Sequence, residues 1–182
     1  MNTDDQRRRR LDRILEPGFG DGLGDLPIEE VRERRDDCLA EREFLSYLRR
    51  LLQGRLEILK DQHAARAEGR SLDERPIEEK LAELFAQETP QGPGRGEALR
   101  VELPEEEMTL ARRRVERILN TAAFSNPGAL SDDDLEAAIE SLETEERGVS
   151  DTRRRVLDLH DALQEEVKRR YRDRLAAEGL RG

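Results

Sequence analysis

Two stretches of the chain place an apolar residue at every seventh position for five heptads: Val31, Cys38, Leu45, Leu52 and Leu59 in the first, and Leu135, Leu142, Val149, Val156 and Leu163 in the second. Seven residues are two helical turns, so each series draws a narrow stripe along one helix, and a narrow stripe is stable only when packed on another helix. Phe44, Leu48, Leu51, Leu56 and Ile58 broaden the first stripe. Ile28 to Ala67 lacks proline and has one interior glycine, Gly54, with Gly69 following as a stop, so the pattern predicts a long helix over 28–67. Ser131, with Asp134 three residues on, resembles a capping box and opens a second long helix over 132–178, which Gly179 ends. Two matching seams on one chain suggest that one helix folds back antiparallel on the other. The expected fold is all-α, an antiparallel two-helix coiled-coil hairpin with two shorter helices in the long connection.

Composition agrees with helices that bury a stripe and leave the rest wet. Charged residues make up 42% of the chain, against about a quarter in an average domain, while aromatics are 3% and Trp is absent. No stretch approaches the roughly 20 apolar residues of a spanning helix, and Arg7 to Arg10 have no apolar run behind them, so neither a membrane segment nor a secretory signal is expected and the protein reads as cytoplasmic. A net charge of −10 argues against direct DNA binding, which needs a basic surplus. The single Cys38 excludes an internal disulfide, and with only His63 and His160 beside it there is no plausible zinc set. No phosphate-cradling glycine loop and no nucleophilic triad or HExxH pattern occurs. The chain reads as not an enzyme, with no cofactor and no metal.

The segments outside the long helices read as follows. Residues 1–27 combine a short Arg-rich stretch with the glycine-rich run Gly18 to Asp25 and are expected to form a flexible tail and linker. Residues 28–182 are expected to form a single coiled-coil domain. Its connection should hold helices over 76–87, which Pro76 can start, and 104–120, where three glutamates open the first turn. The second of these should present Met108, Ala111, Val115 and Ile118 on one face. Thr89 to Gly96 reads as a loop, Asn126 to Gly128 as a break, and Phe85 and Met108 as packing anchors.

Shifting the first long helix by 104 residues superposes the two seams and brings Ser46 onto Ser150 and Arg49 onto Arg153, as an internal repeat would. With the seam at position a, Ser46 and Gln53 lie at b, Arg49 at e and Glu57 at f, a polar strip beside the apolar stripe. The second helix carries Glu146, Ser150, Arg153 and Asp161, with Leu157 where the first has Gln53. Such a strip offers the groups that read guanine: a carboxylate accepts from N1–H and the exocyclic amine, and Arg forks onto O6 and N7. A solvated face stitched by i,i+4 ion pairs gives the same pattern. In a hairpin, Arg49, Arg50, Arg153 and Arg154 would gather near the centre.

The run Leu45 to Leu59 (LSYLRRLLQGRLEIL) resembles the RsiG-type anti-sigma factors of actinobacteria, also called aerial mycelium formation proteins. Their hallmark is Glu, three residues, Ser, two, Arg, three, Gln, three, Asp, once on each helix of an antiparallel coiled coil. The first copy here has Ser46, Arg49 and Gln53 in step, Glu57 for Asp, and Arg42 for the opening Glu, between Glu41 and Glu43; the second has Glu146, Ser150, Arg153 and Asp161, with Leu157 for Gln. The resemblance implies a coiled coil that binds cyclic di-GMP through Ser46, Arg49, Gln53, Glu57, Glu146, Ser150, Arg153 and Asp161. It also implies that the loaded protein sequesters a sigma factor of the motility and sporulation class from RNA polymerase. Arg42 and Leu157 each remove one polar group from a different copy. With both seams on one chain, a monomer is expected before partner binding. The competing reading is a constitutive coiled-coil adaptor that binds a protein and no nucleotide.

Overall fold

The computed structural model describes residues 3–70, 75, 79–83, 103–118 and 127–179. Among these the regular structure is helical throughout: α1 (Thr3–Leu15), α2 (Ile28–Ala67), α3 (Glu105–Ile118), a 3-10 turn (Pro127–Ala129) and α4 (Asp132–Gly179). Residues 79–83 are also helical, and the remainder of the helix expected over 76–87, Phe85 and the loop at 89–96 lie outside the described residues. The chain divides into two compact units, Met1–Leu45 with Asp151–Gly182 and Ser46–Ser150.

The ends of the long helices follow from their sequences. Glu30 and Val31 donate backbone N–H to the Pro27 carbonyl, so α2 starts just after the proline. At its other end Gly69 takes φ +66, with Gly69 N bonding Arg66 O at 3.1 Å and Arg70 N bonding Ala65 O at 2.8 Å, a Schellman closure that a side chain at Gly69 would strain. Ser131 caps α4 by accepting from Asp134 N at 3.1 Å, while its hydroxyl donates to the Asp134 carboxylate at 2.6 Å. All ten seam residues are buried, none above 2% exposed. Each such side chain contributes about 1.5–3 kcal/mol of transfer free energy before ordering costs.

In the first unit, α1 and the glycine-rich run occupy most of the segment expected as a tail and linker. Asp4 and Asp5 open α1 and Arg13 lies in its last turn, which complements the helix dipole. Ile14 is fully buried and Phe19 nearly so. Gly18 at φ +88 and Gly22 at φ +60 allow the turns that follow α1. Gly20 is held so close that a Cβ there would sit 2.9 Å from the Leu159 side chain. Arg34 donates to the Phe19 carbonyl at 2.6 Å, and Arg170 to that of Leu23 at 2.6 Å, tying the glycine-rich run to both long helices. A glycine-rich sequence becomes ordered here because its carbonyls meet arginine donors.

In the second unit the partners of α2 fall in number as α2 advances. Arg49 meets Glu146, Lys60 meets Glu143, His63 meets Glu136 and Arg66 meets Asp132, so these two segments run antiparallel. The face that α3 buries is Glu107, Ala111 and Val115, with Met108 and Ile118 half-buried. The buried stripe is thus centred closer to Glu107 than the expected Met108 anchor. Arg112 donates to the Tyr47 hydroxyl and Arg114 to Glu145, which fixes α3 against both long helices.

Candidate functional site

The positions three residues after each seam residue of α2 are where a regular coiled coil would repeat a second apolar series. They are instead Arg34, Glu41, Leu48, Arg55 and Gln62, and of the polar ones Glu41, Arg55 and Gln62 are buried. In the first unit Glu41, with no exposed surface, accepts from Arg7 at 2.9 Å on Oε1 and from Arg10 at 3.1 Å on Oε2. The Arg7 guanidinium also lies 4.1 Å from the centre of the Phe44 ring. Burial pushes the Glu41 carboxyl up from its ordinary value, and the two arginines partly offset it. Both oxygens are occupied, so this is a latch fastening α1 to α2. Arg13 adds ion pairs to Asp37 and Glu33. An acid three residues past a seam position, in a chain that also carries an Arg-rich segment, was the sequence signal for it.

A second carboxylate, in the second unit, is arranged differently. Glu146 Oε1 accepts three hydrogen bonds, from Arg49 Nε at 3.0 Å, Gln53 Nε2 at 2.9 Å and Ser150 Oγ at 3.0 Å. Arg49 Nε also bonds Ser150 Oγ at 2.9 Å. Heptad geometry explains the meeting, because positions b and e flank the seam of each helix and antiparallel packing brings these flanks together. Arg49 remains 39% exposed and Glu146 18%. Among the described residues, Glu146 Oε2, the two terminal nitrogens of Arg49 and the Gln53 amide oxygen have no hydrogen-bond partner. The cluster therefore fixes its members through inner atoms and keeps an acceptor oxygen and a guanidinium fork for something else.

Four of the eight residues expected at the site thus come together. Ser46 is half-buried on α2, and Glu57 is exposed and outside the hydrogen-bonded cluster. Arg153, half-buried, and Asp161, exposed and bonded by His160 at 3.1 Å, belong to the first unit, as does Arg154. Leu157 is half-buried next to the fully buried Val156. Cys38 is buried and its thiol is pushed up to about 11 by desolvation, which suits a core residue. No group of His, Cys, Asp and Glu able to hold a metal occurs among the described residues. The first unit also holds a cleft of about 650 Å³, lined by Glu16, Glu29, Glu30 and Glu33 with Arg13 and Arg34. Its carboxylates outnumber its cations and both arginines are engaged by acids, so it does not suit an anion.

In the second unit α2 and α4 thus hold a fixed array of donors around one carboxylate. Residues 17–84 match the family model described as RsiG-like. The matched segment contains Glu41, Arg49 and Gln53. No curated protein matches the chain. No helix among the described residues is long and apolar enough to cross a membrane.

Proposed function

We propose that the protein is a cyclic di-GMP-responsive anti-sigma factor whose long helices form an antiparallel coiled-coil hairpin. Loaded with nucleotide, it withholds a sigma factor of the motility and sporulation class from RNA polymerase in the cytoplasm. The observation that carries the reading is the Glu146 cluster. Its Arg49 fork matches O6 and N7 of guanine, its remaining carboxylate oxygen matches N1–H and the exocyclic amine, and both are held in place before a ligand arrives. Preorganisation matters because ordering a long Arg side chain on binding costs about 0.5–1.5 kcal/mol. Arg49 also supplies local positive charge, which a dianionic ligand needs on a chain of net charge −10.

Titration calorimetry with cyclic di-GMP, followed by capture of a purified motility-class sigma factor with and without nucleotide, tests this. Saturable nucleotide binding that increases sigma capture is the expected result. Sigma capture of equal strength without nucleotide, together with no heat of nucleotide binding, would make the protein a constitutive adaptor and the cluster an interhelical stitch.

A further inference from the structure

The bonds from Arg49 and Gln53 to Glu146 and Ser150 all cross from α2 to α4, so the recognition unit is half of one motif copy combined with half of the other. The 104-residue repeat assigns each member a counterpart: Arg49 corresponds to Arg153, Gln53 to Leu157, Glu146 to Arg42 and Ser150 to Ser46. Counted along each helix, the departures fall one per copy. Counted by the cross-helix cluster, both fall among the counterparts, and the Glu146 cluster keeps all four groups.

The two losses are chemically decisive for guanine. Its N1–H and exocyclic amine need an acceptor, and a guanidinium at position 42 has only donors. A leucine at 157 has neither. The carboxylates beside Arg42 do not replace the missing one. Glu41 is fully buried with both oxygens bound by Arg7 and Arg10. Glu43 accepts from Arg42 at 2.6 and 3.1 Å on one oxygen and, one residue along, points about 100° round the helix from the strip.

We infer that guanine recognition in this chain is one-sided: Arg49, Gln53, Glu146 and Ser150 offer a guanine both a fork and an acceptor, and the counterpart positions carrying Arg42 and Leu157 offer no acceptor for N1–H and the exocyclic amine. This rests on the cyclic di-GMP reading above. Arg42 and Arg153 supply donors, which can meet O6, N7 or a phosphate, but no acceptor for N1–H and the exocyclic amine.

Calorimetric titration of the full chain with cyclic di-GMP tests the asymmetry, with circular dichroism verifying that each variant keeps its helices. Arg49→Ala and Glu146→Gln should each weaken binding at least tenfold and Arg153→Ala less than threefold. Arg49→Lys, which keeps the charge but not the fork, should lose about as much as Arg49→Ala and covers the case in which the alanine variant unfolds. The double variant Arg42→Glu/Leu157→Gln should gain tenfold in affinity or raise the number of nucleotides bound per chain. Equal losses from Arg49→Ala and Arg153→Ala overturn the one-sided site and leave the ligand reading standing. Absence of cyclic di-GMP binding by the unaltered protein removes the ligand reading and this inference with it.

Discussion

Two carboxylates on the long helices, Glu41 in the first unit and Glu146 in the second, are both held by arginine, and they do opposite things. Glu41 is fully buried and spends an oxygen on each of Arg7 and Arg10. Glu146 is partly exposed and gathers three donors on a single oxygen, leaving the other open. A saturated, desolvated ion pair can only hold structure, because any competitor would have to repay the desolvation of charges already removed from water. A half-used carboxylate beside a half-used guanidinium can hold structure and still accept a ligand. The number of oxygens left open, more than the presence of a salt bridge, separates the latch from the proposed site.

The largest effect should come from breaking the latch. Glu41→Ala leaves the buried Arg7 with only the long 3.8 Å pair to Asp4 and should cost about 3 kcal/mol in urea denaturation. Replacing Arg7, Glu41 and Arg10 together by Met, Leu and Met should restore or exceed the original stability, since no charge is then stranded. A loss under about 1 kcal/mol for Glu41→Ala would place the triad with ordinary surface pairs.

Breaking the site should reverse the balance between stability and binding. Arg49→Ala, at a partly exposed position, should cost at most about 1 kcal/mol of stability, while cyclic di-GMP affinity falls by about 1–3 kcal/mol. A larger loss of stability than of binding would make the Glu146 cluster a second latch. Gly148 lies between Glu146 and Ser150 on α4, with nothing within 4 Å of where a Cβ would be. Gly148→Ala should therefore stabilise the fold by about 0.5–1 kcal/mol, read as a raised thermal midpoint, and stiffen the backbone that carries both cluster residues without weakening binding.

The smallest effect is a pH dependence that sharpens the contrast within the first unit. Hydrogen bonds from Arg169 and Arg170 hold the Glu166 carboxyl down at about 2, below its ordinary 4.5. A depressed acid contributes stability above its unfolded value and loses it as pH falls towards the folded one, so this contribution disappears between pH 4.5 and 2. Glu41, raised by burial, works in the opposite sense, its contribution being lost as pH rises through its folded value. The acid limb of the stability curve should be shallower in Glu166→Gln than in the unaltered protein. An unchanged limb would show that these surface bonds are not held in solution.

Sequence alone determined the two long helices, the burial of all ten seam residues and the placing of Arg49, Gln53, Glu146 and Ser150 on flanking strips, because a seven-residue period and its caps are local rules that any packed helix obeys. It did not resolve the contacts of the glycine-rich run for the same reason. A glycine-rich run has no periodicity to read, and its order comes from Arg34 and Arg170, distant in sequence, reaching its carbonyls. Which strip residues meet was likewise beyond the sequence, since a motif copy read along one helix does not say which residues of the other helix it faces. Only antiparallel packing in the second unit set Arg49 and Gln53 against Glu146 and Ser150 and left Glu57 in solvent. Tertiary structure also decided the two fates of carboxylate. Whether an oxygen is spent or open depends on how many donors surrounding helices bring within hydrogen-bond reach, and that number is fixed by packing and not by residue type.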